Sequence, residues 1–487
     1  MENILKNTIK TSIINYIGII IGVVSVLFIQ TEILTEKEIG IIRLILDKSL
    51  LILPFFLFGI SSVASRFYFY FENDENFYNG FITFLLGIPL VTLTTGYIIS
   101  KLFNLSQNIA NFQLLIYVLF FSLYILIFES HLSTKAKIIY PSFLRNILFR
   151  VIFLLILGLY YYEIIDYNKL LIFYTGIYFI HFSLLLIYFL KNLNYRFSIN
   201  FSLFKHPAIK EIIPYSLFLF LGAGSGVLVT KIDTVMIEEI TKSQAYVGIY
   251  TIALAIASFI EVPRRPILKL SLPILAKKIK EDKMDDVLSI YRKTAINLLI
   301  IGSIIFILIW FNLDLIFHLI PNGSIYAHGK YIVFFIGLAK LVDLAVGVNS
   351  EIILSSKYYK WNIFLMPFLG VISILLNYLL IKQFGYTGAA IATLFSFVLF
   401  NFFRTILVLV KLNLSPFTLN YLKVLPLMFL TFLLNYFFKT DSLFLNSLLS
   451  ITLVLLFFVL PIYKFRLSAD FNKIINAILN KTLRTKY

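Results

Sequence analysis

The stretch Gly337–Leu354, GLAKLVDLAVGVNSEIIL, carries Lys340, Asp343 and Glu351 in an apolar run that begins at Tyr331 and is long enough to cross a bilayer. A charge at that depth costs several kcal/mol unless it faces water or an opposite charge. At about 100° per residue, Lys340, Asp343, Gly347 and Glu351 share one helix face, and Lys340 and Asp343, at i and i+3, can pair. A second run repeats the pattern with Arg43 and Asp47 at i and i+4, Lys48 beside them, and Pro54, Ser61 and Ser65 on the same face. A third holds Lys231 and Asp233, with Asp233 on the side of Tyr215, Gly222 and Gly226 and Lys231 pointing away. The first run lines up Thr8, Thr11, Asn15, Gly18, Gly22 and Ser25. Inside a membrane, such groups line a path for polar or charged cargo. The structural alternatives are an ion pair that holds two helices together and, for the glycine pairs, close helix packing.

The elements that position these groups follow from composition. The chain has 487 residues, 60% of them hydrophobic and 14% charged, and apolar runs of bilayer length recur throughout. The runs are continuous rather than alternating, so the spanning unit is the helix and not the barrel strand. Fourteen spans are expected, among them 40–62 (second), 212–235 (seventh) and 331–354 (tenth), with the last two covering 421–462. If both termini are cytoplasmic, each outer loop carries a single lysine (Lys37, Lys101, Lys169, Lys242, Lys330, Lys382, Lys439). Nearly all the remaining Lys and Arg then fall on inner segments, Arg150 and Arg404 among them. The formal charge of +17 is thereby explained without nucleic acid. The first span has no small-residue cleavage site after it and is expected to be retained.

Cysteine is absent and the five histidines show no metal-ligand spacing, so no metal is expected. No Walker A sequence, G-x-S-x-G elbow or long outer loop with catalytic groups is found. A transporter therefore fits better than an enzyme, and no cofactor is expected. The loop from Arg264 to Lys293 contains KKIKEDKMDDVLSIYRK, which reads as an amphipathic helix along the inner surface. Its acidic cluster has two readings, a solvated face or a metal site. The segments Ile13–Tyr16 and Ile212–Tyr215, and likewise Ile39–Ile41 and Val247–Ile249, echo each other and suggest two six-span halves. The expected divisions are 1–190 for the first lobe, 191–211 for a linker, 212–411 for the second lobe, 412–464 for two additional helices and 465–487 for a basic tail.

Leu376–Thr393, LNYLLIKQFGYTGAAIAT, resembles a signature of the multidrug/oligosaccharidyl-lipid/polysaccharide exporter superfamily, in its polysaccharide flippase branch. KIDTVMI followed by YVGIYTIALAI, RPILKLSLPILAKKI, and GISSVASRFYF are similar to the same branch, so the resemblance covers most of the chain. It implies an all-α polytopic fold with two six-helix lobes in a V around a central cavity. It also implies a flippase that moves undecaprenyl-diphosphate-linked oligosaccharide to the outer leaflet of a bacterial inner membrane by alternating access, for surface polysaccharides such as lipopolysaccharide O-antigen. On that reading Arg43, Lys48, Lys231 and Lys340 would hold the diphosphate. Asp47, Asp233, Asp343 and Glu351 would balance them or carry a coupling proton or sodium ion, and the last two helices could hold the polyprenyl tail. The partners are then the lipid-linked glycan and membrane lipids; a polysaccharide polymerase is compatible with this but not specified. The alternatives are a cation-coupled multidrug exporter of the same superfamily and a membrane polymerase or ligase.

Overall fold

The computed structural model describes residues 2–102, 111–192 and 195–484. Leu193 and Asn194 of the expected linker and residues 485–487 of the expected tail lie outside them, as does the side chain of Thr8. The helices that matter here are α1 (Lys10–Ile33), α2 (Glu36–Leu57), α3 (Glu75–Leu102), α4 (Phe112–Thr134), α5 (Ile139–Tyr161), α6 (Tyr167–Asn192), α7 (Ile209–Thr241) and α8 (Gln244–Glu261). They continue as α9 (Arg264–Lys280), α10 (Met284–Phe311), α11 (Gly323–Ala345), α12 (Asn349–Ser355), α13 (Phe364–Phe384), α14 (Tyr386–Leu412), α15 (Leu419–Phe437), α16 (Leu443–Lys464) and α17 (Ala469–Arg484). Among the described residues, 12 helices are long and apolar enough to cross a membrane, and the protein is a multi-pass membrane protein. The two expected spans outside that set, the second and the seventh, are the helices α2 and α7. α2 is too rich in charge to qualify by composition.

By packing, the chain divides into residues 1–248 and 249–487. In the first unit, Leu53, Leu57, Phe67, Phe81, Leu119 and Leu123 bury one core, and a second, aromatic one gathers Phe128 and Phe189. α7 packs along α2 and so belongs to this unit. α2 starts at a capping box. The Thr35 hydroxyl accepts from the Glu38 amide at 3.3 Å, and the Glu38 carboxylate accepts from the Thr35 amide at 2.9 Å. The second span does not run unbroken to its expected end. Phe58 and Gly59 both take left-handed backbone (φ 44° and 71°), and a separate short helix, Ile60–Arg66, follows. Ser61 and Ser65 therefore leave the face that carries Arg43 and Asp47. Ser65 and Ser130 instead join their hydroxyls at 2.6 Å.

In the second unit, α10 is the central packing element, with Leu298, Leu299 and Phe306 buried against Leu344, Val424 and Phe458. α15 and α16 dock on it through polar contacts as well. Ser303 donates to the Met428 sulfur at 3.1 Å, and the Asn446 amide donates to the Phe311 carbonyl at 2.8 Å. The tenth span is broken. α11 ends at Ala345, Gly347 adopts φ +60°, and α12 begins at Asn349. A Cβ at Gly347 would lie 2.8 Å from the Ala295 nitrogen, so only glycine fits both the backbone and the approach of α10. The carbonyl of Ala345, freed by the break, accepts from the Tyr421 hydroxyl at 3.1 Å.

The expected surface helix across Arg264–Lys293 is two elements. α9 ends at Lys280, Asp282 turns the chain at φ 56°, and α10 starts at Met284. Val287 and Leu275, one on each side of the turn, are buried in one core with Tyr291 and Val348, so part of the supposed lipid-facing stripe serves packing.

Candidate functional site

Among the described residues, each unit holds a buried group of charges. In the first, Asp47 is fully buried on α2. Its Oδ2 is 2.6 Å from Arg43 Nε, and its Oδ1 is 3.0 Å from Lys231 Nζ on α7. The Thr234 hydroxyl, also on α7, donates to Oδ2 at 2.9 Å. One carboxylate thus meets two cations and a hydroxyl, which leaves the group with a net positive charge in a low-dielectric setting. The i,i+4 pair anticipated for Arg43 and Asp47 is present. Lys231 points toward α2 because α7 lays along it the face that carries Lys231, Thr234 and Glu238. Lys48 lies apart from this group and pairs with Glu238 at 2.8 Å and Glu239 at 3.6 Å near the end of α7. Asp233 is buried.

The two glycine pairs have different surroundings. Gly18 packs on Asn146, whose Cβ would be 2.7 Å from an added Cβ, and Gly22 makes room for the Arg150 guanidinium. Gly222 and Gly226 have nothing among the described residues within 4 Å of the position a Cβ would take, so close packing against those residues does not account for them.

In the second unit, Lys340 and Asp343 do not pair with each other. Lys340 Nζ is 2.5 Å from Glu261 at the end of α8 and 5.2 Å from the centre of the Phe397 ring. Asp343 Oδ2 is 2.5 Å from Arg264 Nη1, and its Oδ1 accepts from the Asn401 amide at 3.2 Å. The i,i+3 spacing allowed a local pair, but neighbouring helices supply partners that satisfy both charges and tie α11 to α8, α9 and α14. Glu351 does not share a continuous face with these two, because the break at Gly347 intervenes. It is buried on α12 and accepts from the Ser350 hydroxyl at 2.7 Å. Asn349 beside it is fully buried, with neither amide atom having a hydrogen-bond partner among the described residues.

The sequence reading missed Glu261, Arg264, Asn401 and Arg404. Arg404 was grouped with the inner segments, yet it lies within α14 and is only 5% exposed. The signal was present: Arg404 interrupts the apolar run 387–410 just as Lys340 interrupts its own. Arg264 gave no such signal, because it follows Pro263 at what looked like the start of a loop. Arg150, grouped in the same way, lies within α5.

Among the described residues the architecture is all α-helical, with charged side chains buried among apolar helices. The chain is similar to the inward closed structure of the lipid II flippase MurJ, with a TM-score of 0.71 and 15% identity over 92% of this chain and 98% of that one. It is also similar to an inward-facing multidrug resistance MATE family transporter of the MOP superfamily (TM-score 0.61, 14% identity, 84% of this chain and 98% of that one). A MATE structure in complex with MaL6 gives a TM-score of 0.57 at 12% identity, over 84% and 96% of the two chains. At these identities the likeness establishes the fold. No family model and no curated protein matches the sequence.

Proposed function

We propose that the protein is a flippase that translocates a diphosphate-linked lipid oligosaccharide across a bacterial inner membrane by alternating access. On this reading both termini are cytoplasmic, the protein is a transporter and not an enzyme, and its cargo serves surface polysaccharide synthesis. The observation that carries this is the set of part-buried cations gathered at carboxylates within the apolar helices of a chain with the MurJ fold. Asp47 is shared by Arg43 and Lys231, and Asp343 is held by Arg264. A pyrophosphate entering a low-dielectric site needs fixed cations to replace its water, and these clusters provide them. Arg43, Lys231 and Lys340 are the proposed headgroup contacts, with Asp47, Asp343 and Glu351 as charge-balancing or ion-coupling groups.

The second reading, a cation-coupled multidrug exporter, is favoured by the MATE structures. It is weakened because a lipophilic cation would meet Asp47 and Asp343 already committed to basic partners.

The test is reconstitution of the full chain in liposomes with a fluorescent polyprenyl-diphosphate oligosaccharide, followed by transfer between leaflets. Transfer by the parent chain and its loss in Lys231→Met, with part retained in Lys231→Arg, is the expected outcome. Transport of a lipophilic cation dye with no movement of the glycolipid would establish the exporter instead.

A further inference from the structure

Asp343 has two arginines as charged neighbours, the part-buried Arg264 and the buried Arg404, and only the first holds it. Arg264 takes Oδ2 at 2.5 Å from α9. Arg404, on α14, is 5% exposed, forms no ion pair among the described residues, and has a buried Nε without a hydrogen-bond partner. Its guanidinium carbon lies 3.5 Å from the centre of the Phe400 ring, and Asp343, Glu351 and Arg264 are its charged neighbours. A buried arginine with no counter-charge in contact is costly, which marks it as a group with a partner in some other state.

The route to that partner is short. Asn401, already bonded to Asp343 Oδ1, precedes Arg404 by three residues on α14. Three residues are about 4.5 Å of helix rise, less than one turn, and slips of one turn between packed elements are a known switching mode. Asp343 also sits just before the broken backbone at Val346–Val348, where Gly347 already takes a left-handed conformation.

We propose that Asp343 exchanges between Arg264 and Arg404, and that an anionic cargo group occupying Arg264 drives the exchange and bends the tenth span at Gly347. In each state one arginine lacks its carboxylate. The cargo diphosphate compensates Arg264 when Asp343 moves, so binding favours the second state by its differential contact. Arg264 is then a further cargo-binding residue and Arg404 a positioning residue. The cargo part rests on the flippase reading above; the exchange itself does not.

Val348 is fully buried at the break, and the chain has no cysteine, so Val348→Cys reports on bending through its rate of maleimide labelling in lipid nanodiscs. Arg264→Gln should release Asp343 to Arg404 and raise labelling on the order of tenfold, within the usual range of site-to-site coupling. Adding Arg404→Gln to it should return the rate to the parent value. Inorganic pyrophosphate should raise labelling of the parent and leave the Arg404→Gln variant unchanged. If Arg264→Gln does not yield monodisperse protein, Arg264→Lys, which keeps the charge but lacks the guanidinium fork, should give a few-fold rise. Labelling that responds alike with and without Arg404 would overturn the exchange. A silent pyrophosphate titration, with the Arg264→Gln effect and its reversal intact, would support the exchange and overturn the diphosphate trigger.

Discussion

At the scale of single residues, the charges are held largely by partners on other helices, Asp47 by Lys231 on α7 as well as by Arg43 on its own helix. Asp47 is the clearest case, because its removal strands two cations. Asp47→Asn should destabilise the protein by about 3–5 kcal/mol, as loss of one member of a buried ion group does, and detergent-solubilised thermal unfolding would record it. A carboxylate in the second unit is also informative. The carboxylate of Asp314, between α10 and α11, is 2.8 Å from both Lys330 and Lys439. Burial pushes it up, but the hydrogen bonds and charges of the two lysines outweigh this and hold it below the usual carboxylate range. A depressed carboxylate stabilises the fold above its unfolded pKa of about 3.9, and that contribution disappears as pH falls through the folded value. Asp314 is 39% exposed, so solvent screening limits the effect to well under 1 kcal/mol. Asp314→Asn should lower the melting temperature slightly at pH 7 and not at all once the pH is far below the ordinary aspartate value. Lys340 and Asp343 follow the same non-local logic. The joint change Lys340→Met with Asp343→Leu should not restore function, since Glu261 and Arg264 would each lose a partner. Glycolipid transfer at matched protein level checks it.

At the scale of elements, apolar runs made every spanning helix legible, and the two breaks were not. Hydropathy does not register a left-handed residue, and Phe58, unlike a glycine, gives no hint that α2 stops there. Gly347 was visible as a glycine but was assigned to a polar face and not to a turn, so Glu351 was placed in line with Asp343. Partners such as Lys48 and Glu238, or Asp343 and Arg264, lie beyond any helical spacing rule, which is why only the Arg43–Asp47 pair was anticipated correctly. The break makes its own prediction. Gly347→Ala forces both an unfavourable φ and a contact at 2.8 Å with Ala295, and should cost roughly 1–3 kcal/mol. A drop in thermal stability with retained membrane insertion is expected. A neutral result would mean that the Val346–Val348 segment straightens at no cost.

For the whole molecule, orientation is the property on which the proposed direction of transport depends. Ser289, exposed in the first turns of α10, is expected on the cytoplasmic side with the nine basic residues of the 264–293 segment around it. Ser289→Cys should resist an impermeant thiol reagent in intact cells and react after lysis. Labelling from outside would invert the topology and with it the direction of flipping.

The two echoed glycines add something to this picture. A Cβ on Gly40 would lie 1.9 Å from the Gln244 carbonyl oxygen, and one on Gly248 would lie 1.8 Å from the Glu36 carbonyl oxygen. Each glycine therefore meets the residue four positions before the other, so the contact reads the same in both directions. This is the isologous geometry by which identical subunits meet about a two-fold axis. One short sequence pattern, present twice in a single polypeptide, is enough to build both sides of it. The two positions consequently share one steric limit, and neither can gain a side chain through a compensating change at the other, because what each abuts is main chain.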